Sequence, residues 1–195
     1  VIGYGVDIEW YYPEENDDIF VPPLPPPKYP ERPYTIPQMY HMLRADRVGR
    51  GNGVKVAVID TGTTYRNYLG IDMSVIKAYK ISGIDDAFDE YGHGTWTTFA
   101  VLYGVYTWTN GEVYSIKVME GNNCSYDAFL EGLRIAEQLG VDIVSISLGG
   151  AGDIHDEISK AIDRLRSKGI IVVASAGNFG PQPYTIVSPG LSPSA

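Results

Sequence analysis

The chain has 195 residues, of which 44% are hydrophobic and 20% charged, a length for one or two domains with a sizeable core and a composition that excludes a disordered or fibrous protein. Its formal net charge of −9 argues against nucleic acid or an anionic membrane as partner, because both present phosphate to an acidic surface, and no run of about 18 apolar residues offers a membrane span. Cys124 is the single cysteine, so an internal disulfide is excluded while the redox compartment stays open.

In chain order, VIGYGVDIEWYYPEENDDIF opens with alternating apolar residues (Ile2, Tyr4, Val6, Ile8, Trp10) and ends in acids, which predicts one strand and then a solvated loop. Eight of the thirteen prolines follow between Pro22 and Pro37, a density that admits neither helix nor central strand and predicts an extended connector. Residues 1–36 therefore read as an arm, either the seam left by removal of a prodomain or a segment wrapping the domain formed by residues 37–195.

From Pro37 onward helices and apolar strands alternate. IPQMYHMLRADRV starts a helix with Pro in its first turn. VKVAVID (54–60) is a continuous apolar run, which predicts a strand buried on both faces, and VIKAYKI and VYSIKVM (113–119) read as weaker strands. SYDAFLEGLRIAEQLG carries Ser125 as N-cap, one stripe of Leu130, Leu133, Ala136 and Leu139, and Gly140 as its stop. VDIVSISLGG predicts another buried strand, DIHDEISKAIDRLRSKG a helix ending at Gly169, and IIVVASAGN a third buried strand. This alternation predicts an α/β fold, a parallel sheet with helices on both faces.

In such a sheet ligands collect beyond the carboxyl ends of the strands. That rule selects DTG (60–62), SLGG (147–150) and AGN (176–178), while DEYGHGTWTT places His93 at a loop-to-helix boundary open to the same crevice. Asp60 ends an apolar strand and needs partners to be buried, so it either caps the turn of Thr61 and Gly62 or serves chemistry. A Ser-His-Asp hydrolase needs an imidazole as proton acceptor and a buried carboxylate on its other nitrogen, roles that suit His93 and Asp60. It also needs donors where negative charge develops, which the amide of Asn178 can supply.

VKVAVIDTG, GHGT, VSISLGG and VVASAGN, in that order, resemble the subtilisin-like serine peptidases, the subtilases, over residues 37–195. The resemblance implies that Asp60 orients the imidazole, that His93 is general base and then acid, and that Asn178 helps form the oxyanion hole. It further implies that Ser147, Leu148 and Gly149 form an edge strand for the substrate backbone, with Gly121 to Cys124 as the opposite wall. The short side chains of Ala174, Ser175, Ala176 and Gly177 suit a substrate pocket; for all these positions plain strand packing is the competing account. The implied protein is a secreted endopeptidase acting on peptides or proteins without a cofactor. Calcium has no supporting motif, and Asp17, Asp18, Asp85 and Asp86 read as solvated surface acids.

Two departures stand out. The family's Gly-Thr-Ser nucleophile motif is absent, and Ser188, Ser192 and Ser194 sit in Pro-rich VSPGLSPSA without a following helix. The chain thus reads as the N-terminal portion of a peptidase, its fold incomplete at the C-terminus, with the nucleophile expected beyond residue 195 or on a complementary chain that completes the sheet. Without it, turnover falls about a million-fold. Secondly, Trp96 and Phe99 stand where family members carry His and Gly, which opens the alternative of an inactive subtilase-like scaffold or binding protein. A sedolisin-type acid peptidase shares the domain entry but needs acids where His93 stands. A dinucleotide site is disfavoured by the lack of G-x-G-x-x-G after any strand.

Overall fold

The computed structural model describes residues 42, 44, 52–68, 71–108, 111–119 and 123–195. The expected arm at 1–36, nearly all of the helix expected in IPQMYHMLRADRV, and Gly121 lie outside the described residues.

The elements run β1 (Lys55–Asp60), a short antiparallel ribbon of β2 (Asn67–Tyr68) and β3 (Ile71–Asp72), a 3₁₀ turn, β4 (Lys77–Lys80), α1 (His93–Trp108), β5 (Glu112–Lys117), α2 (Tyr126–Leu139), β6 (Ile143–Ile146), α3 (Glu157–Ser167) and β7 (Ile171–Ala174). Five strands form one parallel sheet in the order β4-β5-β1-β6-β7, as the alternation of helices and strands predicts. The register aligns Asp60 with Lys117, Ile59 with Ile146, and Ile146 with Ala174. DTG, SLGG and AGN therefore leave the sheet along one edge, side by side.

Successive residues of a strand point to opposite faces. On one face Ala57, Ile59, Tyr114, Ile116, Val144, Ile146 and Val172 join Phe129, Leu133 and Ala136 of α2 and Ile158, Ile162 and Leu165 of α3 in a single apolar core. Both helices start on side-chain caps: Ser125 Oγ accepts from Ala128 N at 3.1 Å, and Asp156 Oδ1 accepts from Ser159 N at 2.6 Å. α2 stops at Gly140, whose left-handed φ of 61° any residue with a Cβ adopts only under strain.

The opposite face is covered by α1, which packs on β1 and β5. This corrects one expectation. IIVVASAGN was expected as a strand buried on both faces, yet Ile171 and Val173 are 60% and 54% exposed while Val172 between them is 4% exposed. β7 ends the sheet order, and α1 packs chiefly on β1 and β5. A continuous apolar run reports that neither face is charged, and it does not report which faces are covered.

Candidate active site

Asp60, the last residue of β1, is fully buried. Its Oδ1 accepts from Thr61 N at 2.8 Å and lies 2.7 Å from His93 Nδ1; its Oδ2 accepts from Thr97 Oγ1 at 3.0 Å. A carboxylate can only accept, so Nδ1 carries the proton, and the neutral ring offers Nε2 as a free acceptor. The His93 side chain is 43% exposed, and among the described residues nothing hydrogen bonds to Nε2. The bond to Asp60 raises the pKa of His93 above its ordinary 6.5; burial opposes this, and the charges of Asp60 and Asp89 reinforce it.

The loop preceding α1 explains why His93 stands where it does. Asp89 Oδ1 accepts from Tyr91 N at 3.0 Å and Gly92 N at 2.8 Å, and its Oδ2 from Thr95 N at 2.6 Å, so one carboxylate closes the turn that launches the helix. Burial is the largest influence on Asp89 and would raise its pKa, but these bonds, together with one from Thr61, outweigh it and hold the carboxyl below the ordinary range. Thr61 Oγ1 is the joint between strand and helix: it donates to Asp89 Oδ1 at 2.8 Å and accepts from Gly94 N at 2.8 Å. From β5, buried Lys117 donates to Phe88 O at 2.7 Å and fixes the same loop from beneath.

Both glycines around His93 have a geometric reason. Gly92 has φ of 96°, and a Cβ on Gly94 would stand 2.3 Å from Gly62 O. The helix can bring His93 to Asp60 only because its first turn touches the β1 turn backbone to backbone.

The other expected site residues lie along the same edge. Ser147, Leu148 and Gly149 continue from β6 outside any strand, with Leu148 buried, and among the described residues their backbone makes no hydrogen bond. Beyond them Gly150 exchanges two 2.9 Å backbone bonds with Ser188. Ala174 and Ser175 are half-buried, and Ala176, Gly177 and Asn178 are exposed. Gly177 takes φ of 91° against Val187, and Ala176 O accepts from Val187 N at 3.1 Å. Ser188 is fully buried with an unpartnered hydroxyl, Ser192 is buried and Ser194 half-buried; none bonds to His93. Cys124 is buried, and its thiol is pushed up to about 12, which leaves it inert. Among the described residues no three His, Cys, Asp or Glu side chains gather as a metal site, and no helix is long and apolar enough to cross a membrane.

Sequence reading missed Thr61, Asp89 and Thr97. Asp89 had a signal, an acid shortly before a helix start, and Thr97 stood one helical turn after His93. The two aromatic departures form a stack on α1: Trp96 lies 5.9 Å from Phe99, whose ring also meets Tyr68 at 5.4 Å and Tyr103 at 6.0 Å. The contact between Asp60 and His93 forms beside this stack.

With this geometry in place, comparison with known proteins is informative. The model of the Subtilase family matches residues 51–195. The chain is 34% identical over 160 residues to subtilisin DY of Bacillus licheniformis, covering 75% of this chain and 56% of that protein. It is 31% identical over 147 residues to the major intracellular serine protease of Bacillus subtilis (strain 168), covering 67% of this chain and 44% of that one. Among solved structures, sphericase aligns with a TM-score of 0.58 and 28% identity over 72% of this chain and 51% of its own. The chain spans about half the length of these relatives. A parallel sheet that carries DTG, SLGG and AGN along one edge, with GHGT at the start of the helix packed beside DTG and a family match over residues 51–195, leads to one conclusion: the chain belongs to the subtilase family.

Proposed function

We propose that the protein is a serine endopeptidase in which Asp60 and His93 serve a nucleophilic serine supplied by residues beyond Ala195, on a segment that seats against the exposed face of β7. The 2.7 Å contact between Asp60 and His93 carries the proposal. Held on Nδ1 by a buried carboxylate, His93 takes the serine proton on Nε2 as the hydroxyl attacks the scissile carbonyl, and returns it to the leaving amine. The side-chain amide of Asn178 stabilises the oxyanion. The backbone of Ser147, Leu148 and Gly149, unpaired among the described residues, pairs with an extended substrate, and Ala176 and Gly177 leave room for one of its side chains.

Two observations support the missing segment: the exposed apolar pair Ile171 and Val173, and the coverage of about half of each relative. Helix α1 carries no Asp or Glu, so the chain lacks the acids that an acid peptidase of the sedolisin type requires there. We place the enzyme outside the cell, and fractionation tests this directly, since one relative is intracellular by name.

The deciding experiment expresses the protein with whatever its gene encodes after Ala195 and treats it with a fluorophosphonate. Labelling of one serine that disappears in His93→Ala is expected. No labelling of the parent overturns the reading in favour of an inactive scaffold, and labelling that requires a second chain moves the serine to that chain.

A further inference from the structure

The two oxygens of Asp60 are served unequally. Oδ1 accepts from Thr61 N and His93, whereas Oδ2, in a fully buried carboxylate, has among the described residues only the hydroxyl of Thr97. Thr97 follows His93 by four residues, so helical spacing places both on the face that looks onto β1. Its hydroxyl has one proton and two acceptors in range, Asp60 Oδ2 at 3.0 Å and Gly94 O at 3.1 Å. The anionic oxygen is the stronger acceptor, and leaving it buried without a donor is the more unfavourable outcome.

We propose that Thr97 is a positioning residue for the Asp60 and His93 pair: its hydroxyl donates to Asp60 Oδ2 and draws off part of the carboxylate's charge, which moderates the hold of Asp60 on the imidazole. The importance of this for turnover rests on the peptidase reading, but the geometry itself does not. The competing account is a helix hydroxyl bonded back to Gly94 O, with no influence on His93.

The two accounts differ in how His93 titrates. The charged groups acting there are Asp60 on β1 and Asp89 in the preceding loop, while Lys117 on β5 is engaged with Phe88 O; none of them changes in the variants. Removing the donor concentrates charge on Asp60, which strengthens its hold on the imidazolium.

The test is an NMR titration of the imidazole resonances in the 195-residue chain, which contains only two other histidines, His41 and His155. Thr97→Val, close in volume to the parent, is expected to raise the His93 midpoint by about half a pH unit or more, and Thr97→Ser to restore it. In an Asp60→Asn background the valine substitution is expected to have no effect. The His155 resonance reports folding, and Thr97→Ala gives the same reading if valine does not fit. An unchanged or lowered midpoint in the folded valine or alanine variant overturns the proposal, as does a serine variant that behaves like valine. Because no substrate is involved, this result and the fluorophosphonate result fail independently.

Discussion

Two stretches of the same sheet edge behave differently. At the end of β1 the polar groups around His93 find partners inside the chain: Asp60, Thr61, Asp89, Gly94, Thr95 and Thr97 are joined by bonds of 2.6–3.0 Å. At the ends of β6 and β7 the backbone of Ser147, Leu148 and Gly149 is unpaired among the described residues and Asn178 is exposed, and within β7 itself Ile171 and Val173 face outward. The first stretch is preorganised, as acid-base chemistry requires. The second leaves its hydrogen-bonding capacity unused among the described residues. On the peptidase reading proposed above, fixed polar groups beside an open edge are the expected arrangement.

The largest expected effect falls in the first stretch. A methyl group at Gly94 meets Gly62 O at 2.3 Å and Gly62 N at 2.8 Å, both backbone atoms that cannot turn aside. Gly94→Ala should therefore lower stability by about 3 kcal/mol in urea unfolding, since overpacking in this range forces the backbone to shift. A loss of less than about 1 kcal/mol would mean that the first turn of α1 is not pinned against the β1 turn, and the contrast between the two stretches would weaken.

Strand β7 allows the second stretch to be tested within itself. Val172→Ala removes a buried side chain and should destabilise by about 2 kcal/mol, whereas Ile171→Ala on the uncovered face should stay within about 0.5 kcal/mol in this chain. Repeated in protein extended beyond Ala195, the Ile171 substitution should become as damaging as the Val172 one if a further segment covers that face. Equal small effects in both forms would argue that nothing covers it.

The smallest effect concerns pH. His93 is raised above 6.5 in the folded protein, so its contribution to stability is fully present below that value and is lost as pH rises through the higher folded value. Asp89 is held below 3.8, so its contribution is present above that value and disappears as pH falls through the lower folded value. The stability gap between the parent and His93→Ala should accordingly narrow from about pH 5 to about pH 9 in urea titrations. A gap that widens would mean that the imidazole does not gain its proton affinity from Asp60. The gap should be modest, because His93 is partly exposed and solvent screens the pair.

Much of this arrangement was legible in the sequence. The buried run of β1, the caps Ser125 and Gly140, and the helix and strand alternation follow from local patterning, and the structure contains each of them. The juxtaposition of Asp60 and His93, 33 residues apart, was suggested by the chemistry a Ser-His-Asp hydrolase needs and reinforced by family resemblance, because spacing along a chain does not reveal contact across it. Burial of both faces of β7 was misread, since IVVA carries the same pattern in the middle of a sheet as at its end.

Periodicity and capping act over a few residues, so the amino-acid order alone was enough to specify the main strands and helices from residue 54 onward, though not the short β2–β3 ribbon, and which ends of strands carry reactive side chains. The strand order β4-β5-β1-β6-β7, the pinning of Gly94 against Gly62, the Asp89 and Thr61 joint and the Thr97 donor on Asp60 Oδ2 depend on packing between distant segments. The same threonine is an ordinary helix residue until a buried carboxylate from another element is brought within 3.0 Å of its hydroxyl. Only the folded chain supplies that neighbour, because burial and partnership arise from the three-dimensional arrangement.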